Sequence, residues 1–205
     1  MQRLIVVGIH TEVGKTAVAA VLAKALNAFY WKPVQCGLPS DADWVERYIP
    51  GRILPTQFTL QTPSSPHLAA RKEGIRIAAR DLRPPEIDHS LIIEGTGGIF
   101  APLNETEVWL DAAIHWNAHW ILVHRHYLGS LNHFLLTVAA LRQRAISLLG
   151  VVFNGEGDPM TENMLLEKAA SCCLGRLKEK EVFSLQRIGE LSEIWQPALC
   201  QALGM

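Results

Sequence analysis

The sequence predicts one α/β domain with a mostly parallel central sheet flanked by helices, and three observations carry that prediction. Strand-like and helix-like segments alternate along all 205 residues. The strand-like segments are short unbroken apolar runs, such as Leu4-Ile5-Val6-Val7 and Leu91-Ile92-Ile93. Unbroken runs belong to strands buried on both faces, as in a parallel sheet covered by helices. The first of them leads into Gly8-Ile9-His10-Thr11-Glu12-Val13-Gly14-Lys15-Thr16 and then an amphipathic helix. That strand–turn–helix setting is the one a nucleotide phosphate loop requires, so the domain is expected to be phosphate-loop NTPase-like. The length suits a single sizeable domain, and residues 1–205 show neither an internal repeat nor a linker.

Each element follows from local pattern. Residues 3–7 read as a strand, and 14–27 as a helix with Val18, Val21, Leu22, Ala25 and Leu26 on one face. Tyr30 to Pro33 is a short strand entering a turn at Gly37, and Asp41 to Tyr48 is a brief helix. Residues 50–66, rich in Pro, Thr and Ser, read as an irregular loop. Ser90 to Ile93 is a buried strand ending at Glu94-Gly95-Thr96-Gly97-Gly98. A helix is expected at 107–116, a strand at Trp120 to Val123, a helix at Leu131 to Arg144, and a strand from Leu148 to Phe153 ending at Asn154-Gly155. A helix at 161–172, a strand at Val182 to Leu185 and a helix near 190–203 complete the chain.

Composition narrows the function. The net charge is −1, with no basic tail or stripe, which excludes an electrostatic nucleic-acid binder. No apolar run reaches membrane-spanning length. The chain enters a strand at once, without a cleavable signal, so a cytoplasmic location is expected. Cys36, Cys172, Cys173 and Cys200 fit no zinc spacing and read as reduced thiols.

Chemistry concentrates where the predicted strands end. Glycines let the loop's N–H groups converge on an anion, and the following helix aims its positive end at the same point. Lys15 would meet the β- and γ-phosphates, and the Thr16 hydroxyl would ligate Mg²⁺. The loop carries five residues between Gly8 and Gly14, one more than the usual pattern, which marks a modified loop. Lys32, held in a shaped turn by Pro33 and Gly37, is a second cation for anionic oxygens. Glu94 ends an apolar strand, where a carboxylate is costly unless paired or bound to a cation. Thr16, Glu94 and one acid from Asp41 or Asp43 would suffice for Mg²⁺, although Asp41 serves equally well as a helix N-cap. His115, His119, His124 and His126 read as structural or surface histidines, and the tryptophans as packing. In a parallel sheet, the loop, Lys32, Glu94 and Asn154 share one edge.

These segments resemble the dethiobiotin synthetases. Gly8-x-x-Thr11-Glu12-Val13-Gly14-Lys15-Thr16 is similar to that family's modified phosphate loop, Lys32-Pro33-Val34-Gln35-Cys36-Gly37 to its second motif, and Glu94-Gly95-Thr96-Gly97-Gly98 to its third. Ser65-Pro66-His67, Leu128 to His133 and Gly150 to Asn154 match in order, so the resemblance runs from residue 4 to about 155. It implies a homodimer that uses ATP and Mg²⁺ to join 7,8-diaminononanoate with CO₂ or bicarbonate, closing a ureido ring through a carbamate and a carbamic–phosphoric anhydride. It implies that Glu12, Val13, Gly14, Lys15, Thr16 and Ala17 hold the nucleotide and that Asn154 meets its adenine. Thr11, Glu12, Lys15 and Lys32 would flank the reacting groups, with Cys36 beside them. Thr16, Asp41 and Glu94 would hold Mg²⁺. Gly129, Ser130, Leu131 and Asn132 would bind the substrate carboxylate across the dimer interface. Family members carry Ser, Thr or Ala where this chain has Cys36, a weaker hydrogen-bond donor than a hydroxyl.

The alternative is a deviant phosphate-loop ATPase acting as a nucleotide switch. Such proteins carry an extra lysine early in the loop, where this chain has His10, and the alternative gives Lys32 no task. An amidotransferase-type cobyrinate synthetase needs a glutaminase domain for which 205 residues leave no room. A non-catalytic descendant would not need Lys15, Thr16, Lys32 and Glu94 together.

Overall fold

A computed structural model describes residues 1–205. In chain order the elements are β1 (Arg3–Gly8), α1 (Lys15–Ala25), β2 (Phe29–Trp31), β3 (Val34–Cys36), α2 (Asp41–Glu46), β4 (Phe58–Leu60), α3 (Pro66–Lys72), β5 (Leu91–Gly98), α4 (Trp109–Ala113), β6 (His119–Arg125), α5 (Ser130–Gln143), β7 (Leu148–Asn154), α6 (Pro159–Ala169), β8 (Cys173–Leu177) and α7 (Leu185–Leu203).

Six strands form the main sheet in the order β2-β5-β1-β6-β7-β8, every pair parallel. Its central runs, Leu4 to Val7, Leu91 to Ile93 and Ile121 to Val123, are buried on both faces, which is why they lack polar alternation. From β1 the chain steps outward to β2 on one side, and from β6 through β7 to β8 on the other. With right-handed crossovers, that reversal sends α1 to one face and α5 and α6 to the opposite one. Helix α7 returns to pack beside α1. Its Trp195 lies so close to β8 that a Cβ on Gly175 would stand 2.3 Å from the indole, so only glycine fits there. No helix is long and apolar enough to cross a membrane.

Several boundaries differ from the sequence reading, each for a local reason. The segment 50–66 contains a strand, β4, which pairs with β3 in a separate two-stranded sheet. Helix α3, absent from the sequence reading, opens with Pro66 in its first turn, a favoured helical start. Strand β5 does not end at Glu94 but runs on to Gly98, pairing with β1 through a register shift between Val6 and Gly8. The expected strand from Val182 to Leu185 is wrong: the last strand is β8, and Val182 is 83% exposed in the loop that follows. An edge strand needs few buried residues, and Leu174 and Leu177 supply them. Helix α6 ends at Ala169 rather than 172, because Ala170 turns left-handed. Helix α7 starts earlier than 190, where Ser184 caps it by accepting a hydrogen bond from the Arg187 N–H at 3.0 Å.

Candidate active site

The phosphate loop leaves the C-terminal end of β1, beside the point where the sheet order reverses. Gly14 takes a left-handed φ of 98° immediately before α1, and a Cβ there would meet the Asn154 side chain at 2.7 Å. The loop is tied from the neighbouring strand ends. Asn154 Nδ2 donates to the Val13 carbonyl at 2.9 Å, and an Arg125 guanidinium N–H donates to the Glu12 carbonyl at 3.2 Å. Lys15 folds back over the loop, its Nζ donating to the His10 carbonyl at 3.0 Å. Burial lowers its pKa to about 8; nearby Glu94 opposes that effect and Lys32 adds to it.

Glu94 joins the loop to the second lysine. Its side chain is 1% exposed. Its Oε1 accepts hydrogen bonds from Thr16 Oγ1 at 2.9 Å and from Lys32 Nζ at 3.1 Å. Its Oε2 accepts one from Tyr30 Oη at 2.7 Å. Lys32 also pairs with the Asp41 carboxylate. Burial alone would lower the Lys32 pKa, but Glu94 and Asp41 outweigh it and hold the ammonium charged, above its ordinary range. Burial, reinforced by Glu94, pushes the Tyr30 phenol well above its usual value, so it stays a donor.

The structure distinguishes the two aspartates left open by the sequence. Ser40 occupies the N-cap position of α2, and Asp41, the first helical residue, turns its carboxylate to Lys32. Asp43 is exposed and outside the cavity. Gln35 positions this corner: its Oε1 accepts from the Asp41 N–H at 3.2 Å, and its Nε2 donates to the Gly37 carbonyl at 2.9 Å.

These groups line a cavity of about 500 Å³, a size suited to a small-molecule ligand. Thr11, Glu12, Gly14, Lys15 and Thr16 form one wall. Lys32, Cys36 and Asp41 form another, with Glu94 between. Burial raises the Cys36 thiol to about 11, so it faces the cavity as a neutral, weak donor. Val13 and Ala17 are buried behind the loop, and Asn154 touches the loop without lining the cavity. Gly129, Ser130, Leu131 and Asn132 stand outside it at the start of α5. Sequence reasoning gave no role to Tyr30, Gln35 or Thr96. Tyr30 reaches Glu94 through the pairing of β2 with β5, in which Tyr30 stands beside Ile92, two residues before Glu94 on the same strand face.

Hydroxyl and carboxylate oxygens from Thr16, Glu94 and Asp41 form a hard donor set, suited to Mg²⁺ completed by phosphate oxygens and water. Glu94 and Asp41 flank the Lys32 ammonium and Thr16 bonds Glu94, so this corner accommodates positive charge.

Fold and site together define a phosphate-loop nucleotide-binding protein. A family model described as an AAA domain matches residues 2–187. Among solved structures, a ParA family ATPase from Chlorobium tepidum TLS superposes with a TM-score of 0.59 at 14% identity, covering 100% of this chain and 99% of that one. The septum site-determining protein MinD from Pyrococcus horikoshii OT3, complexed with Mg-ADP, gives 0.53 at 13% identity, covering 98% and 92%. At these identities the likeness concerns the fold. The ATP-dependent dethiobiotin synthetase of Christiangramia forsetii is 39% identical over 201 residues, 96% of this chain and 97% of the relative. That of Afipia carboxidovorans is 44% identical over 181 residues, 85% and 86% of the two chains. The chain belongs to the ATP-dependent dethiobiotin synthetase family.

Proposed function

We propose that this protein is an ATP-dependent cyclo-ligase that converts 7,8-diaminononanoate and CO₂ to dethiobiotin, working in the cytoplasm as a homodimer. The observation that carries the reading is Glu94, bonded to both Thr16 of the phosphate loop and Lys32, which brings two lysines to one cavity.

One amine adds to CO₂ and loses a proton, giving a carbamate. A carbamate oxygen attacks the γ-phosphorus of ATP, and the bond to ADP breaks. The second amine then attacks the carbonyl of the carbamic–phosphoric anhydride, expels phosphate and loses a proton as the ring closes. Bringing two anions together demands positioning and charge neutralisation. Lys15 and the loop N–H groups hold the triphosphate. Lys32 neutralises the carbamate and the bridging oxygen that forms. Thr11 and Glu12 orient the reacting groups, and Asn154 meets the adenine. Thr16, Asp41 and Glu94 would hold Mg²⁺, which would supply neutralising charge to the phosphate oxygens. The first turns of α5, with exposed Leu128, Leu131, Leu135 and Leu136, present an apolar surface that a second copy covers, bringing Gly129 to Asn132 to the partner's cavity for the substrate carboxylate.

The test is incubation of purified protein with ATP, Mg²⁺, bicarbonate and the diamine. Diamine-dependent phosphate release and a cyclic urea by mass are expected. ATP turnover indifferent to the diamine would replace this reading with a nucleotide switch.

A further inference from the structure

The two oxygens of Glu94 are used differently. Oε1 faces Thr16 and Lys32, at 2.9 and 3.1 Å, on the cavity side. Oε2 accepts a single hydrogen bond, from Tyr30 Oη at 2.7 Å. Tyr30 cannot easily withdraw. It is fully buried on β2, its N–H donates to the Arg52 carbonyl at 2.8 Å, and its carbonyl accepts from the Leu54 N–H at 2.9 Å. The phenol therefore ties off Oε2, so that Oε1, shared with the cavity-lining Thr16 and Lys32, is the oxygen a bound cation would meet. A carboxylate held this way offers a metal one oxygen. Mg²⁺ keeps near-octahedral geometry with short bonds and accepts single oxygens, whereas Ca²⁺ takes six to eight oxygens and readily binds a carboxylate through both.

We propose that Tyr30 is a specificity-determining residue: by occupying Glu94 Oε2 and leaving only Oε1, the oxygen shared with Thr16 and Lys32, on the ligand side, it biases the nucleotide-bound site toward Mg²⁺ and against Ca²⁺. The inference rests on the proposed role of Glu94 as a metal ligand, and the test separates the two. Mg²⁺ and Ca²⁺ are titrated calorimetrically into the full-length protein bound to a non-hydrolysable ATP analogue, with the metals' binding to the free analogue subtracted. Wild type, Tyr30→Phe and Glu94→Gln are compared. Tyr30→Phe should shift the ratio of Ca²⁺ to Mg²⁺ affinity about tenfold toward Ca²⁺, a change of about 1.4 kcal/mol. Metal-free affinity for the analogue should stay the same. Equal weakening of both metals would reduce Tyr30 to a structural bond and overturn the selectivity role. Unchanged metal binding in Glu94→Gln would instead overturn the ligand assignment beneath it. Wild type alone should favour Mg²⁺ over Ca²⁺ by about tenfold or more beyond the free analogue. Absence of that preference overturns the proposal even if Tyr30→Phe fails to fold.

Discussion

Two buried carboxylates, Glu94 and Glu162, have opposite surroundings. Glu94 sits between Lys32, Thr16 and Tyr30 and opens on the cavity. Glu162, on α6, is closed in. Its Oε1 meets His126 Nε2 at 2.7 Å and an Arg176 guanidinium nitrogen at 2.8 Å, and its Oε2 meets the other end of the same guanidinium. Phe153 stacks on His126 with ring centroids 5.7 Å apart, and Arg176 also donates to the Gly155 carbonyl at 2.9 Å. A Cβ on Gly157 would stand 2.3 Å from the His126 ring, so the loop before α6 packs directly against this network. Burial of a charged pair is thus common to both regions and does not separate chemistry from architecture. What separates them is that the Glu94 carboxylate itself lines a cavity together with the phosphate loop, whereas Glu162 is enclosed by His126 and Arg176.

The largest effect expected from this contrast is on Lys32→Ala. Losing a preorganised charge at the reacting oxygens should cut diamine-dependent turnover about a thousandfold, with the far-ultraviolet circular dichroism spectrum retained. A near-normal rate would place Glu94 in the same structural class as Glu162. Glu162→Gln should behave in the opposite way. Arg176 is 41% exposed and can recover solvation, so the loss should be about 1–3 kcal/mol of stability. That is a fall of several degrees in the thermal midpoint, while kcat/KM at 25 °C stays close to wild type. Lost activity at an unchanged midpoint would break the comparison from the other side.

Lys15 sharpens it through pH. Its ammonium in the free protein gives up its proton near pH 8, below its usual 10.5, because burial disfavours the charge. A bound triphosphate stabilises the charged form and raises that pKa again. Nucleotide binding must therefore take up a proton above pH 8, and affinity should fall as pH rises, by up to about tenfold per unit. Calorimetry in buffers of different ionisation heat measures the uptake directly. A pH-independent affinity from 7.5 to 9.5 would mean that Lys15 stays charged throughout or does not contact the phosphates.

Sequence made the first half of this site legible because its chemistry restricts residue type. A loop that cradles phosphate must have glycines before a Lys-Thr helix start, and a carboxylate after Leu91-Ile92-Ile93 demands a reason. What stayed hidden was set by tertiary packing. Tyr30 reads as one more aromatic in a buried strand, and only the register of β2 against β5, with Tyr30 beside Ile92, brings it to Glu94. The Glu162 network joins His126, just past the end of β6, to residues of α6 and β8 with no motif spacing. The misplaced final strand has the same origin. Val182 and Phe183 look more strand-like than Cys173-Leu174-Gly175-Arg176, yet the edge position beside β7 selects the latter.

The smallest effect is expected at Cys36, where the cavity wall departs from the serine, threonine or alanine implied by the family resemblance. The thiol is neutral, raised by burial to about 11, and makes at most a weak hydrogen bond. Any contribution it makes to holding the carbamate is therefore small beside that of the charged Lys32. Cys36→Ser adds a stronger donor without adding charge, and a neutral hydrogen bond contributes about 1 kcal/mol. The change should appear as a severalfold fall in KM for the diamine, with kcat within about twofold. Steady-state kinetics at fixed bicarbonate measures both. A rise in kcat of tenfold or more would mean that this side chain acts on the transition state, and that the division of labour between Lys32 and the neighbouring wall is drawn in the wrong place.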